Sequence, residues 1–219
     1  MDTLPAKPVS TAVHRILPAN AKQAAIVVAG FTALLYLIEL IDVVLPADLD
    51  QFGIVPRSLS GLDGIAWAPL LHSGFGHLLA NTLPVLIFGF LAMAGGLGRW
   101  IAVTLTIWLV SGVGVWLTGG DGVTVGASGL AFGWLAFLLV RGIFTRSVLQ
   151  IGVAAVLLLY WGGMLFGVLP GDPGVSWQGH LFGAGAGVLA AWLVAMAGRR
   201  AASRTAAAPD PVVPGGIAE

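Results

Sequence analysis

The chain contains no cysteine, only two tyrosines, and just 9% charged residues. The first absence removes disulfides, thiolate nucleophiles and cysteine-ligated metals or clusters in one step, and with them any reading of redox compartment. The scarcity of charge is more decisive, because ordinary globular domains carry about a quarter charged residues. Ten Lys and Arg balance ten Asp and Glu, so the formal net charge is zero and nucleic acid is not expected as a partner. What is abundant is apolar: 58% of the residues are hydrophobic and the mean hydropathy is +0.95. The 32 glycines and 8 tryptophans fit the same class, since small residues let helices pack closely in lipid and indoles favour the bilayer interface. The composition is that of an all-α polytopic membrane protein, with lipid as its surroundings.

A helix needs about 20 mostly apolar residues to cross a bilayer, and six stretches qualify: 24–46, 78–97, 100–118, 127–144, 148–169 and 180–197. Pro84 and the glycines of the second and fifth stretches predict kinks or shifted boundaries there. Residues 1–22 hold Pro5, Pro8 and Pro18 and no short apolar core followed by a cleavage site, so they are expected to form a cytoplasmic segment ahead of a retained signal-anchor. The six-helix domain is expected over 23–198, and the Ala/Pro/Gly-rich stretch 199–219 as a disordered cytoplasmic tail. Positive charge orients the bundle, because Lys/Arg-rich loops stay cytoplasmic. Lys7, Arg15, Lys22, Arg99, Arg141, Arg146, Arg199, Arg200 and Arg204 all fall on one side of a six-span topology. Asp48, Asp50, Asp63, Asp121 and Asp172 fall on the other, with Arg57 as their one cation. Both termini are therefore expected in the cytoplasm of a cell-membrane protein.

In that topology spans two, four and six run in the same direction, and His77, Ser128 and His180 each stand at the start of one of them. The three share a layer near the outer surface, within reach of water. Asn81 lies one turn, about 6 Å, deeper than His77 on the same helical face.

A serine in a membrane helix commonly bonds a carbonyl one turn back or assists packing. Ser128 has a different setting: Gly126 and Gly129 flank it and permit close approach of a substrate or a second backbone. The start of a helix also offers unpaired amides and a positive dipole end where an oxyanion would form. His180 is an ionisable group within a span, which marks a functional site by default. Gly183 and Gly187 follow it on one face, and Gly129 and Gly133 repeat the arrangement on the fourth span. Two small-residue faces predict close contact of spans four and six, bringing Ser128 to His180 as nucleophile and general base. Asp172, Glu39 and Asp42 are not placed to complete a triad. Phe132, one turn below Ser128, either stacks on the imidazole in place of a carboxylate or serves as a core or lipid contact.

His72, His77 and Asn81 admit three readings. A metal is disfavoured: five residues apart on a helix, the two histidines point away from each other, and no third ligand stands at a familiar spacing. Structural hydrogen bonding suits His72, because Leu71-His72-Ser73-Gly74 reads as a loop or helix entry. His77 and Asn81 instead stand at the depth where, with the Ser128 amide, they would donate to a tetrahedral intermediate.

Together, His72-x4-His77-x3-Asn81, Gly126-x-Ser128-Gly129 and His180-x2-Gly183-x3-Gly187 resemble, in order and topology, the rhomboid family of intramembrane serine proteases. The resemblance implies a minimal six-helix bacterial form. Ser128 would be the nucleophile, His180 the general base, and His77, Asn81 and the Ser128 amide the oxyanion donors, with His72 in a supporting role. It also implies transmembrane proteins as substrates, cut near helix-breaking residues, and it implies no cofactor. Phe132 stands where many members carry tyrosine. Many members also have a Trp-Arg pair in the first outer loop, whereas Trp67 is followed here by Ala68. Residues 176–179 and span five are the expected mobile parts. Two other classes were weighed. A catalytically silent, segment-binding relative would be expected to lack the serine or the histidine. A transporter would continue its polar residues toward the cytoplasm, whereas these spans turn apolar.

Overall fold

A computed structural model describes residues 13–45, 48–171 and 174–206. Helix α1 (Ala21–Val44) starts where the Asn20 side chain accepts the Gln23 amide, which satisfies one of the amides a helix start leaves unpaired. A connecting segment follows with 3-10 turns at Leu49–Phe52, Leu59–Gly61 and Ala68–Leu70 around the short α2 (Gly64–Trp67). Then come α3 (Phe75–Ala92), α4 (Leu97–Thr118), α5 (Ser128–Thr145), α6 (Val148–Trp161) and α7 (Trp177–Ala206). Among the described residues six helices are long and apolar enough to cross a membrane, counting the 3-10 continuation of α6. The chain is a multi-pass, all-helical membrane protein. Among the described residues the only strand-like pairing is an isolated bridge between Ile54 and Thr124.

Several boundaries differ from those expected. α3 begins at Phe75, because Gly74, at φ +115°, makes a turn that a residue with a side chain rarely adopts. The fifth span is α-helical only to Trp161 and continues as a 3-10 helix over Gly162–Val168, where Gly162, Gly163 and Gly167 weaken the α form. α7 runs on to Ala206, so the tail expected from 199 starts as helix; alanines and arginines are strong helix formers. The rest of that tail, 207–219, most of the N-terminal segment, Pro46 and Asp172 lie outside the described residues.

α5 is the axis of the bundle. Its nine residues from Leu130 to Leu138 are all buried, as befits a helix apolar on every side, and it packs against α3, α4, α6 and α7. The α5–α7 seam is backbone on backbone. A Cβ at Gly183 would stand 3.0 Å from the Gly129 carbonyl carbon, and one at Gly133 would stand 2.9 Å from the Gly183 oxygen. Gly187 meets Gly133 in the same way one turn on. With lipid as apolar as leucine, such close van der Waals contact is what holds membrane helices together. α4 closes the third side, where Phe182 of α7 lies over Gly114. α6 is the least buried of the six, with 11% of its most apolar window covered.

The segment connecting α1 to α3 docks on α4 through hydrogen bonds. Arg57 Nη1 donates to the Gly119 carbonyl at 2.6 Å, Trp116 Nε1 to Ser58 O at 2.8 Å and Trp108 Nε1 to Ile65 O at 2.8 Å. Each indole thereby buries its ring and satisfies its N–H, while Trp67 stays half exposed.

Candidate active site

The chain reaches α5 through a turn whose backbone is anchored on the segment connecting α1 to α3. Gly126 N–H donates to Ala68 O at 2.8 Å, and Ala127 N–H donates to His72 Nε2 at 3.3 Å. Gly126 sits at φ +120°, and a Cβ there would strike the His77 ring, 2.8 Å from Nε2. Glycine is therefore required twice, for its dihedral and for the closeness of the imidazole. Ser128 is the first residue of α5, so its own N–H has no intrahelical partner.

From the neighbouring helix, His180 presents Nε2 at 2.9 Å from Ser128 Oγ. On the far side of the ring, Nδ1 lies 2.9 Å from the Gly167 carbonyl oxygen. A carbonyl only accepts, so Nδ1 carries the proton, and in the neutral ring Nε2 is left as the acceptor for the serine hydroxyl. Phe132 lies flat on the imidazole, with ring centroids 4.0 Å apart and planes 7° from parallel. The ring is thus held by a backbone carbonyl at one edge and an aromatic face below, and it is 8% exposed.

These residues line a cavity of about 950 Å³ that also takes in His77, Asn81, Met164 and Trp177. His77 Nδ1 pairs with Ser73 Oγ at 3.2 Å. When Ser73 donates, the proton of His77 sits on Nε2, the ring nitrogen on the Gly126 side. Asn81 Nδ2 gives one N–H to the His77 carbonyl at 3.2 Å, leaving the other for a group in the cavity.

Comparison with known proteins fits this geometry. The rhomboid domain model matches residues 62–197, well over half of the chain. The chain belongs to the rhomboid family. An uncharacterized protein of Mycobacterium tuberculosis is 49% identical over 180 residues, covering 78% of this chain and 75% of that protein, and one of Mycobacterium bovis matches to the same extent. An uncharacterized protein of Mycobacterium leprae is 44% identical over 179 residues, covering 78% and 71%. Rhomboid proteins are generally intramembrane serine proteases.

In this rhomboid chain one expectation about side-chain placement fails. His72 and His77 were expected to diverge as residues of one helix, yet their rings meet edge to face with centroids 5.1 Å apart. His72 precedes α3 in the extended segment before Gly74, so helical spacing does not apply to it. Burial, and then the neighbouring His77, push the His72 ring down to a pKa of about 4, which keeps it neutral and able to accept the Ala127 amide. Ser176, expected in a mobile stretch, accepts the Gly179 amide on its Oγ and the His180 amide on its carbonyl, and so caps α7 just ahead of the histidine. Three contributors were missed in the sequence. Gly167 offers a carbonyl and no side chain to notice, Ser73 read as loop, and Ser111 donates to Gly179 O at 3.0 Å from the middle of α4. For Ser111 the available signal was a lone hydroxyl facing two small-residue stripes.

Proposed function

We propose that this rhomboid protein is an intramembrane serine endopeptidase that cleaves peptide bonds in or near transmembrane segments of membrane proteins. The observation that carries the reading is the 2.9 Å contact between Ser128 Oγ and His180 Nε2, with Nδ1 tied to the Gly167 carbonyl. His180 takes the serine proton as Oγ attacks the scissile carbonyl, then returns it to the leaving amine. The developing oxyanion is met by the Ser128 N–H, His77 Nε2–H and the second N–H of Asn81. Water, deprotonated by the same imidazole, then releases the acyl chain. Gly167 and Phe132 do for the base what a carboxylate does in a triad: they select the tautomer and fix the ring. A substrate segment must unwind before attack, because a helical peptide bond is shielded by its own hydrogen bonds.

The charge bias supports a cell-membrane protein with both termini in the cytoplasm and the cavity near the outer face. A reporter fused after Glu219 is then expected to read cytoplasmic, and an extracytoplasmic signal would invert this orientation. For the chemistry, the detergent-solubilised protein is treated with a fluorophosphonate serine probe. Wild type is expected to label, and Ser128→Ala and His180→Ala are expected to stay blank while remaining folded. Equal labelling of all three removes the dyad.

A further inference from the structure

Arg141 lies thirteen residues after Ser128 on the same helix, about 20 Å from the catalytic layer at 1.5 Å per residue. It is 6% exposed, yet its Nε and Nη2 have no hydrogen-bond partner. Its recorded side-chain contact is the Phe137 ring, 5.8 Å from the guanidinium carbon. Among the described residues no carboxylate pairs with it, although a buried charge demands a counter-charge or a full set of acceptors. Arg99 lines the same recess and folds over Gly95, where a Cβ would stand 2.8 Å from its Nη1. We infer that the recess between Arg99 and Arg141 is a binding site for a phosphate oxyanion, as borne by an anionic phospholipid headgroup or by free phosphate.

The recess measures about 10 Å³, room for a single oxygen atom. It admits the tip of an anion to Arg141 while the rest of the group stands at the mouth beside Arg99. Its walls are built. Val13 closes one side and is pinned there because Gln150 Nε2 donates to the carbonyls of Val13 at 2.8 Å and Arg15 at 3.1 Å. Thr145 Oγ1 in turn donates to Gln150 Oε1 at 2.8 Å. Two more cations belong to the same end of the bundle: Arg146 directly follows α5, and Arg199 Nη1 donates to Phe144 O at 3.3 Å. A guanidinium fork matches phosphate oxygens two at a time, and basic pockets between membrane helices hold phospholipid headgroups in this manner. The site is independent of catalysis.

The test follows the melting temperature of the full chain in neutral detergent as phosphatidylglycerol, phosphatidylcholine or inorganic phosphate is added at constant ionic strength. Phosphatidylglycerol is expected to raise it and phosphatidylcholine to leave it unchanged; a matching rise with inorganic phosphate assigns the site to the free ion. Arg99→Gln is expected to weaken the response about five- to tenfold in apparent affinity while fluorophosphonate labelling of Ser128 stays at the wild-type rate. Arg141→Met is expected to abolish the response; if that variant fails to fold, Arg99→Gln decides alone. The inference is overturned if the two lipids act alike with no effect of phosphate, or if Arg99→Gln responds as wild type does. It is also overturned if a response emerges only after Asp2→Asn, Asp210→Asn and Glu219→Gln together, which would mean that the chain's own acids fill the recess.

Discussion

Alanine at position 183 would place a methyl carbon 3.0 Å from the carbonyl carbon and 3.1 Å from the Cα of Gly129, and closer still to the Gly129 carbonyl oxygen. Non-bonded carbons settle at about 3.5–4.0 Å, so α5 and α7 must part by about 0.5 Å or more at this level. No side chain can rotate away to relieve the clash, because both partners are backbone. Ser128 is one residue from Gly129 and His180 three residues from Gly183, so the displacement enters the 2.9 Å Ser128–His180 contact almost undiminished. Overpacking of this kind costs about 1–3 kcal/mol of stability, and a misplacement approaching 1 Å costs about 100-fold in rate. Gly183→Ala is therefore expected to fold, melt lower, and react with the fluorophosphonate probe about 10- to 100-fold more slowly. Gly185→Ala is the control, since a Cβ there meets nothing within 4 Å, and it is expected to label and melt like wild type. The assay is the pseudo-first-order labelling rate beside a melting curve for each variant. Wild-type labelling and melting by Gly183→Ala, or an equal loss in Gly185→Ala, would refute the backbone-seam argument.

Two further predictions concern the histidine-rich side of the cavity. His77→Ala and Asn81→Ala should each lower turnover of a transmembrane substrate by about 10- to 1000-fold with unchanged melting, and unaltered rates would reject both as oxyanion donors. His72, held at about 4 against an ordinary 6.5, makes stability depend on pH, because protons bind the unfolded chain first as pH falls. Its contribution is complete above the ordinary value and is lost on the way down to about pH 4, amounting to about 3 kcal/mol at most. Melting curves between pH 7.5 and 4 should then fall less steeply for His72→Asn than for wild type; parallel curves would exclude the assignment.

How much of this was readable beforehand depended on whether a residue acts through its side chain and through regular spacing. The six spans were legible because lipid demands long apolar runs. The approach of Ser128 to His180 was legible because glycines at 129, 133, 183 and 187 repeat with the period of a helix. The structural use of His72 was legible from its place ahead of the helix; its meeting with His77 was not, because helical spacing does not hold across the break at Gly74, whose positive φ no pattern of hydrophobicity announces. The kink of the fifth span was expected from its glycines. The use made of it, bringing a carbonyl to the His180 ring, was not, since a backbone acceptor looks the same at every position in a sequence. The docking of the segment between α1 and α3 was hidden for a similar reason: Arg57, Trp108 and Trp116 each donate an N–H to a main-chain oxygen.

The Gly167 contact has a further consequence for anyone who scans this protein by substitution. A carbonyl cannot be deleted by changing the residue that bears it, so an alanine scan is expected to return the side chains of the cavity, Ser128 and His180 foremost, and to miss the Gly167 carbonyl that holds the histidine. That carbonyl would surface only indirectly, as intolerance of bulk at 167, where a Cβ would press on Phe132 at 2.9 Å and on His180 Nδ1 at 3.2 Å. Mutational maps of such centres therefore undercount their members by those that belong to the main chain.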